Sequence, residues 1–289
     1  MKIGIVGLGL MGGSMALELK AQGFATKTIG VDLNPKNAEK ALLLGLVDSI
    51  EALNQACAEA DIIVIATPVQ SISKLLPLVL DHLRPGAVVT DVGSTKKHIS
   101  DSVRGHPKRK QYVSSHPMAG TEHSGPEAAH LGLFTGKAAV ICDEEMSSPD
   151  AVQTIRKLYE ALQMRLIQME SSAHDLHAAY VSHLSHISSF VLANTVLDKE
   201  KDVDAIFNLA SGGFESTVRL AKSSPQMWTE VFEQNTAFVT EALGAYIDRL
   251  RKFHDSLKAN NFSQTRTYIE QANEIKRVLE NLTPSGKKQ

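Results

Sequence analysis

The chain has 289 residues, room for one large domain or two ordinary ones, and its 43% hydrophobic and 21% charged content suits a globular fold with a sizeable core. A formal net charge of −2 gives no basis for a nucleic-acid or anionic-membrane partner. No apolar run approaches the ~18 residues of a membrane span. MKIGIVG begins a strand at once rather than a signal segment, so the cytoplasm is the expected compartment.

In chain order, β-branched runs predict strands at 2–7, 28–32, 61–67, 87–93, 111–117 and 137–143. Their near-continuous Val/Ile content suits strands buried on both faces, as in a parallel sheet flanked by helices. Helical patterns fill the gaps, for example 11–23, with Gly23 as a plausible cap. The alternation predicts a doubly wound α/β domain. Cys57 and Cys142 lack metal-ligand spacing and are expected reduced, the first on a helix and the second in a strand.

The turn after the first strand, GLGLMG, places Gly7, Gly9 and Gly12 as GxGxxG. Gly7 allows a tight turn, Gly9 lets backbone approach a pyrophosphate, and Gly12 lets the helix pack on the strand. The helix start offers free N–H groups to phosphates. Asp32 follows Gly12 by twenty residues at the end of the second strand, where a carboxylate binds both ribose hydroxyls and repels a 2′-phosphate. No arginine follows it in LNPKN, although Lys36 could serve a phosphate, so NAD is expected over NADP. Ligands in such sheets bind beyond the carboxyl ends of the strands. The loops at 66–71 and 91–97 therefore make Thr67, Ser94 and Thr95 candidates for the nicotinamide side. Lys96 and Lys97 either contact phosphate or substrate or are solvated on a turn.

The stretch SHPMAGTEHSG, 115–125, sets His116 at the end of an apolar run and follows it with residues too broken for a helix. Those surroundings fit a histidine at the rim of a sheet over a cavity better than one in the core. A last strand is predicted at 164–169, and beyond it the pattern becomes helical, which places a boundary near residue 168 between domains 1–168 and 169–289. Helices are expected over 171–197, 227–259 and 265–282, with apolar stripes broad enough for a subunit interface as well as a core. The tail TPSGKKQ reads as a frayed end.

The first of these helices carries HDLHAAYVSHLSH. On a straight helix turning ~100° per residue, His174 and His177 oppose His183 and His186, so one metal ion cannot collect all four and no metal is expected. The same arithmetic gathers Asp175, Ser182 and His186 within roughly 40°, as a solvated face or a polar pocket wall. Gly212 and Gly213 then break the helical pattern, and Arg219 sits between Val218 and Leu220 as a surface residue with a buried stem or as a carboxylate clamp.

GLGLMGGS, DVGSTK, SHPMAGTEHSG, HDLHAAYVSHLSH and GGFESTVRLAKSSPQMW together resemble the prephenate/arogenate dehydrogenase family over nearly the whole chain. The resemblance implies a Rossmann-type domain followed by an all-α dimerisation domain. It further implies NAD-dependent oxidative decarboxylation of prephenate to 4-hydroxyphenylpyruvate, on the route to tyrosine. By the same resemblance His116 is the catalytic base and Ser94, rather than Thr95, is the hydroxyl near nicotinamide and substrate. Arg219 matches a substrate-carboxylate clamp, and Ser182, His183 and His186 match pocket-lining residues. Asp175 is a candidate to orient one of them, Thr121 and Glu122 supply polar edges, and Trp228 matches a pocket tryptophan or is a core or interface aromatic. The chain departs from the family at Ser185, where proline is common, at Glu215 and Ser216, where Arg-Asp is common, and at Val218, where threonine is common. Glu215 makes arogenate, whose amino group a carboxylate could hold, the second expected substrate. A β-hydroxyacid dehydrogenase would need a lysine on the interdomain helix, where this chain has Ser182, His183 and His186. The chain is expected to be monofunctional.

Overall fold

The computed structural model describes residues 1–201 and 206–282, and the tail TPSGKKQ, 283–289, lies outside the described residues. In chain order the α/β part comprises β1 (Lys2–Val6), α1 (Leu10–Ala21), β2 (Lys27–Val31), α2 (Pro35–Leu43), β3 (Ser49–Ile50), α3 (Leu53–Glu59), β4 (Ile62–Ile65), α4 (Val69–His82), β5 (Val88–Asp91), α5 (Lys97–Ser102), β6 (Tyr112–Pro117), β7 (Ala138–Cys142), α6 (Pro149–Ala161) and β8 (Arg165–Met169). The helical part continues as α7 (Ser171–Ala178), α8 (Leu184–Glu200), α9 (Gly212–Val218), α10 (Pro225–Gln234), α11 (Thr236–Lys258), α12 (Phe262–Asn273) and α13 (Ile275–Leu282).

The strands form one sheet in the order β3-β2-β1-β4-β5-β6-β7-β8. β1 and β4 are parallel neighbours at which the order of strand addition reverses, and the crevice beyond their carboxyl ends is the place such sheets offer to a ligand. Both faces are covered, as the Val/Ile runs require. Ile62 and Val64 pack into one buried cluster, Ile63 and Ile65 into the other, the period-2 alternation of a strand buried on both sides. The strand β7 is a correction: it runs antiparallel to β6 rather than parallel. Residues 118–137 hold only a short 3₁₀ turn at Pro126–Ala128, so no helix is available for a parallel crossover. The two-residue β3 was not expected from the sequence pattern. Gly23 has φ +70°, one residue beyond the cap of α1, where a left-handed residue closes the helix. Cys57 and Cys142 are buried free thiols on α3 and β7.

Three corrections concern the helical part. The expected helix 171–197 runs on to Glu200, but it is interrupted by a π-helical turn at Ala179–His183. The expected helix 227–259 is two helices, broken at Asn235, whose φ of −116° and ψ of 25° leave the helical region. The expected helix 265–282 starts earlier, at Phe262, where the Asn261 side chain caps Gln264 N, and is interrupted at Glu274.

The described residues form two compact units, divided between Val239 and Thr240. All the candidate site residues lie in the first. The second exposes Ile247, Leu250, Phe253, Leu257, Ile269 and Ile275. Among the described residues no helix is long and apolar enough to cross a membrane.

Candidate active site

Backbone shape comes first at the end of β1. Gly7 has φ +97°, and a Cβ there would stand 2.6 Å from the Ala66 carbonyl oxygen, so only glycine makes this turn against the end of β4. A Cβ on Gly12 would meet the Gly7 carbonyl oxygen at 2.0 Å, which is why α1 can start so close to β1. Gly9 has nothing within 4 Å of its would-be Cβ and faces open space at the cap of α1, which carries no side-chain cap and no acidic residue in its first turn. Asp32, just past β2, accepts from Leu8 N at 2.9 Å and from Asn34 N at 2.8 Å, which fixes its carboxylate beside the glycine turn. Thr67 comes just after β4, and its Oγ1 is buried without a hydrogen-bond partner. Lys36 is exposed on the first turn of α2.

The loop after β5 divides its residues differently from the sequence expectation. Ser94 is half-buried, whereas Thr95 is fully buried and donates to Gln234 Oε1 at 2.6 Å, so its hydroxyl is engaged by α10. Lys96 is neither solvated nor free for a ligand. It is fully buried, ion-paired to Asp91, and donates to the Ser115 carbonyl at 2.6 Å. Asp91 also accepts from Tyr112 OH at 2.6 Å, and Ser115 Oγ bridges the Asp91 carbonyl and Tyr159 OH. This satisfied polar network anchors the residue preceding His116. Lys97 is exposed and pairs with Asp101.

His116 is the penultimate residue of β6, is 9% exposed, and places its Nδ1 2.8 Å from His174 Nε2. His174 Nδ1 in turn lies 2.8 Å from Asp175 Oδ1. A carboxylate accepts, so His174 donates from Nδ1 and accepts at Nε2; His116 then donates from Nδ1 and keeps a lone pair on Nε2. The Asp175 carboxylate is held in place by Lys96 N at 2.7 Å and Lys97 N at 2.9 Å. Burial, then the neighbouring His174 and Lys96, hold the His116 pKa well below its ordinary 6.5, so the ring is neutral at neutral pH. Sequence reasoning missed His174, although its place beside Asp175 in the HD pair is the signal that would have found it. Missed too was the buried Asp91–Lys96 pair.

The π-turn overturns the straight-helix arithmetic. Extra residues in that turn rotate the rest of the helix, so His174 and His183 are both buried while His177 is exposed. His183 packs edge-on to Trp228 at 5.7 Å between ring centroids, and His186 stacks on Trp228 at 3.7 Å and 29°. Burial pushes the His183 pKa down to about 4 and lowers that of His186. His186 Nδ1 donates to the Ser182 carbonyl at 3.0 Å. The Ser182 side chain is half-buried, and the Asp175 carboxylate is engaged on His174. Trp228 is 7% exposed, in a small cluster with Val69, Val231, Phe190 and Phe232, and its Nε1 is buried without a partner. An indole N–H left so is free to donate to a ligand.

Arg219 lies in a 3₁₀ turn after α9; its side chain is 51% exposed, and Nη1 donates to Glu122 Oε2 at 3.3 Å. Thr121 is exposed, and its Oγ1 accepts from His123 N at 3.2 Å, a local turn contact. Gly125, at φ +88°, supplies the bend that brings this loop round.

A sheet with a glycine turn at its switch point, and a buried histidine at the carboxyl end of a strand parallel to it, is the architecture of nucleotide-dependent dehydrogenases. The prephenate dehydrogenase nucleotide-binding domain model matches residues 15–168, and the prephenate dehydrogenase dimerization domain model matches 170–271. The prephenate dehydrogenase of Bacillus subtilis is 31% identical over 92% of this chain and 70% of its own length. The crystal structure of prephenate dehydrogenase from A. aeolicus in complex with hydroxyphenyl propionate and NAD+ superposes with a TM-score of 0.88 at 28% identity, covering 96% of this chain and 97% of that one. The Synechocystis arogenate dehydrogenase structure gives a TM-score of 0.77 at 29% identity, covering 96% and 100%. The chain belongs to the prephenate dehydrogenase family.

Proposed function

We propose that this chain is an NAD-dependent prephenate dehydrogenase, acting in the cytoplasm as a homodimer and converting prephenate to 4-hydroxyphenylpyruvate and carbon dioxide. The observation that carries this reading is the His116–His174–Asp175 hydrogen-bond chain, from which a lone pair on His116 Nε2 follows. The crevice fits a dinucleotide. Gly9 leaves room for a pyrophosphate at the uncapped start of α1, Asp32 stands at the ribose position, and Thr67 carries a buried hydroxyl in want of a partner. Bound NAD supplies a hydride acceptor. On this reading residues 1–168 hold the nucleotide and 169–289 provide substrate and dimer contacts; the exposed apolar residues between Ile247 and Ile275 support the latter.

His116 accepts the proton of the ring hydroxyl as hydride leaves the same carbon. Loss of the ring carboxylate as carbon dioxide then sends its electron pair into the ring, and the oxygen of the new phenol takes its proton back from His116. The base is thus restored within the turnover. Ser94 lies near the reacting ring, Arg219 clamps a substrate carboxylate, and His183, His186, Ser182 and Trp228 line the pocket, with Thr121 at its edge. Glu215 favours arogenate as a second reading, because it lies four residues before Arg219 on exposed α9 and could pair with an amino group. The test is NADH formation with prephenate and with arogenate, each with NAD and with NADP. Turnover of prephenate with NAD supports the first reading, a preference for arogenate supports the second, and no turnover on either refutes both.

A further inference from the structure

Asn235 sits where the expected long helix breaks, and it is 3% exposed. Its Nδ2 lies 2.8 Å from the Asp175 carbonyl oxygen and 3.2 Å from His183 Nδ1. A carbonyl oxygen only accepts, so this atom is the amide nitrogen and not its oxygen. The amide carries two hydrogens, and the second faces His183 Nδ1, which must therefore offer a lone pair. We propose that Asn235 is a positioning residue that locks His183 as a neutral imidazole with its proton on Nε2.

Asp175 then serves two histidines in opposite senses. Its carboxylate, through His174, leaves His116 with a lone pair on Nε2. Its carbonyl, through Asn235, leaves His183 with a proton on Nε2. One becomes a base and the other a donor. The titratable groups that interact with His183 are Asp175, His174, His186 and His116; burial outweighs the one carboxylate among them and lowers its pKa to about 4, in keeping with a neutral ring. The value of a fixed donor rests on the proposed reading, in which the substrate is a dianion. A ring that could turn its lone pair toward a carboxylate would repel it, and the break at Asn235 removes that option.

The test uses the full chain labelled with ¹⁵N-histidine, read by long-range ¹H–¹⁵N correlation near neutral pH, with His183→Gln identifying the resonances. Wild type should show His183 protonated on Nε2 only. Asn235→Asp, which can only accept at this position, should move the proton to Nδ1 or charge the ring. Asn235→Ala, which merely removes the donor and tests the same lock if the aspartate variant fails to fold, should shift both ring nitrogens. A wild-type ring protonated on Nδ1, or ring nitrogens unmoved in the variants, overturns the proposal. These spectra need neither cofactor nor substrate, so they stand apart from any failure of the functional reading. If prephenate is turned over, Asn235→Ala should raise its KM about tenfold, the loss of one charge-assisted hydrogen bond, with kcat and the KM for NAD within a fewfold. A fall in kcat with no change in prephenate KM overturns the donor role.

Discussion

Acidification should destabilise this protein well before its carboxylates titrate, and His183 sets the size of the effect. In the unfolded chain its pKa is the ordinary 6.5, whereas burial beside Trp228 and Phe232 lowers it to about 4 in the fold. Below 6.5 the unfolded chain takes up a proton that the folded one refuses, so stability falls as pH drops and stops falling near 4. Each pH unit between the two values costs about 1.4 kcal/mol, giving about 3 kcal/mol in total and about 2 kcal/mol between pH 7 and pH 5. His116, also held well below 6.5, adds to the loss with the same sign. Asp48, Asp101, Glu59 and Glu122 have lowered pKa values, so their losses come below their ordinary 3.8 to 4.5 and leave the pH 5–7 window to the histidines. Urea unfolding at pH 7, 6 and 5, at one protein concentration, measures the slope. His183→Gln, which cannot take up a proton, should remove about 2 kcal/mol of the pH 7–5 difference. A variant as acid-sensitive as wild type would refute the reasoning.

Gly9→Ala and Gly12→Ala separate binding from folding. The first meets open space and should leave Tm unchanged while weakening NAD binding at least about tenfold by calorimetry. The second drives a Cβ onto the Gly7 carbonyl and should cost about 1–3 kcal/mol of stability as well. Equal NAD affinity in both variants and wild type would exclude the glycine crevice as the nucleotide site. His116→Asn should cut kcat by about 10²–10⁴ with prephenate KM within a fewfold; undiminished turnover would remove His116 from the chemistry. Arg219→Gln should chiefly raise prephenate KM, by about tenfold or more, and an unaltered KM would make it a surface residue tied only to Glu122.

The α/β part was legible because Val/Ile runs and glycine turns are local signals. GLGLMG placed the crevice, and the strand 111–117 put His116 at its rim. The features that escaped were set by contacts distant in sequence. The β7 strand looks like its parallel neighbours residue by residue, and only the helix-free return from β6 fixes its direction. Helix 171–200 has an unbroken helical pattern, and nothing in AYVSH announces a π-turn; yet that turn decides which histidines face inward. The same holds for Asn235. An asparagine inside an amphipathic run costs a few tenths of a kcal/mol of helix propensity, too little to read as a break, whereas two buried acceptors 52 and 60 residues away make the break favourable.

Lys96 shows why such distant contacts gather under this site. A buried ion pair contributes little net stability, since desolvation of Lys96 and Asp91 offsets their attraction, so stability alone is a poor reason for it. Its position gives a better one. The Lys96 ammonium lies against the Ser115 carbonyl, its backbone N–H holds the Asp175 carboxylate, and its charge helps keep His116 neutral. On the proposed reaction the base must return its proton to the phenol oxygen after decarboxylation. A lowered pKa keeps the imidazole unprotonated and able to accept at neutral pH, and the phenolate left by decarboxylation, a much stronger base, takes the proton back. Burial, His174 and Lys96 all depress the His116 pKa, while the Asp175–His174 chain keeps its lone pair on Nε2. The groups that tune the base are therefore the same ones that aim it, and a change at Lys96 would disturb both together.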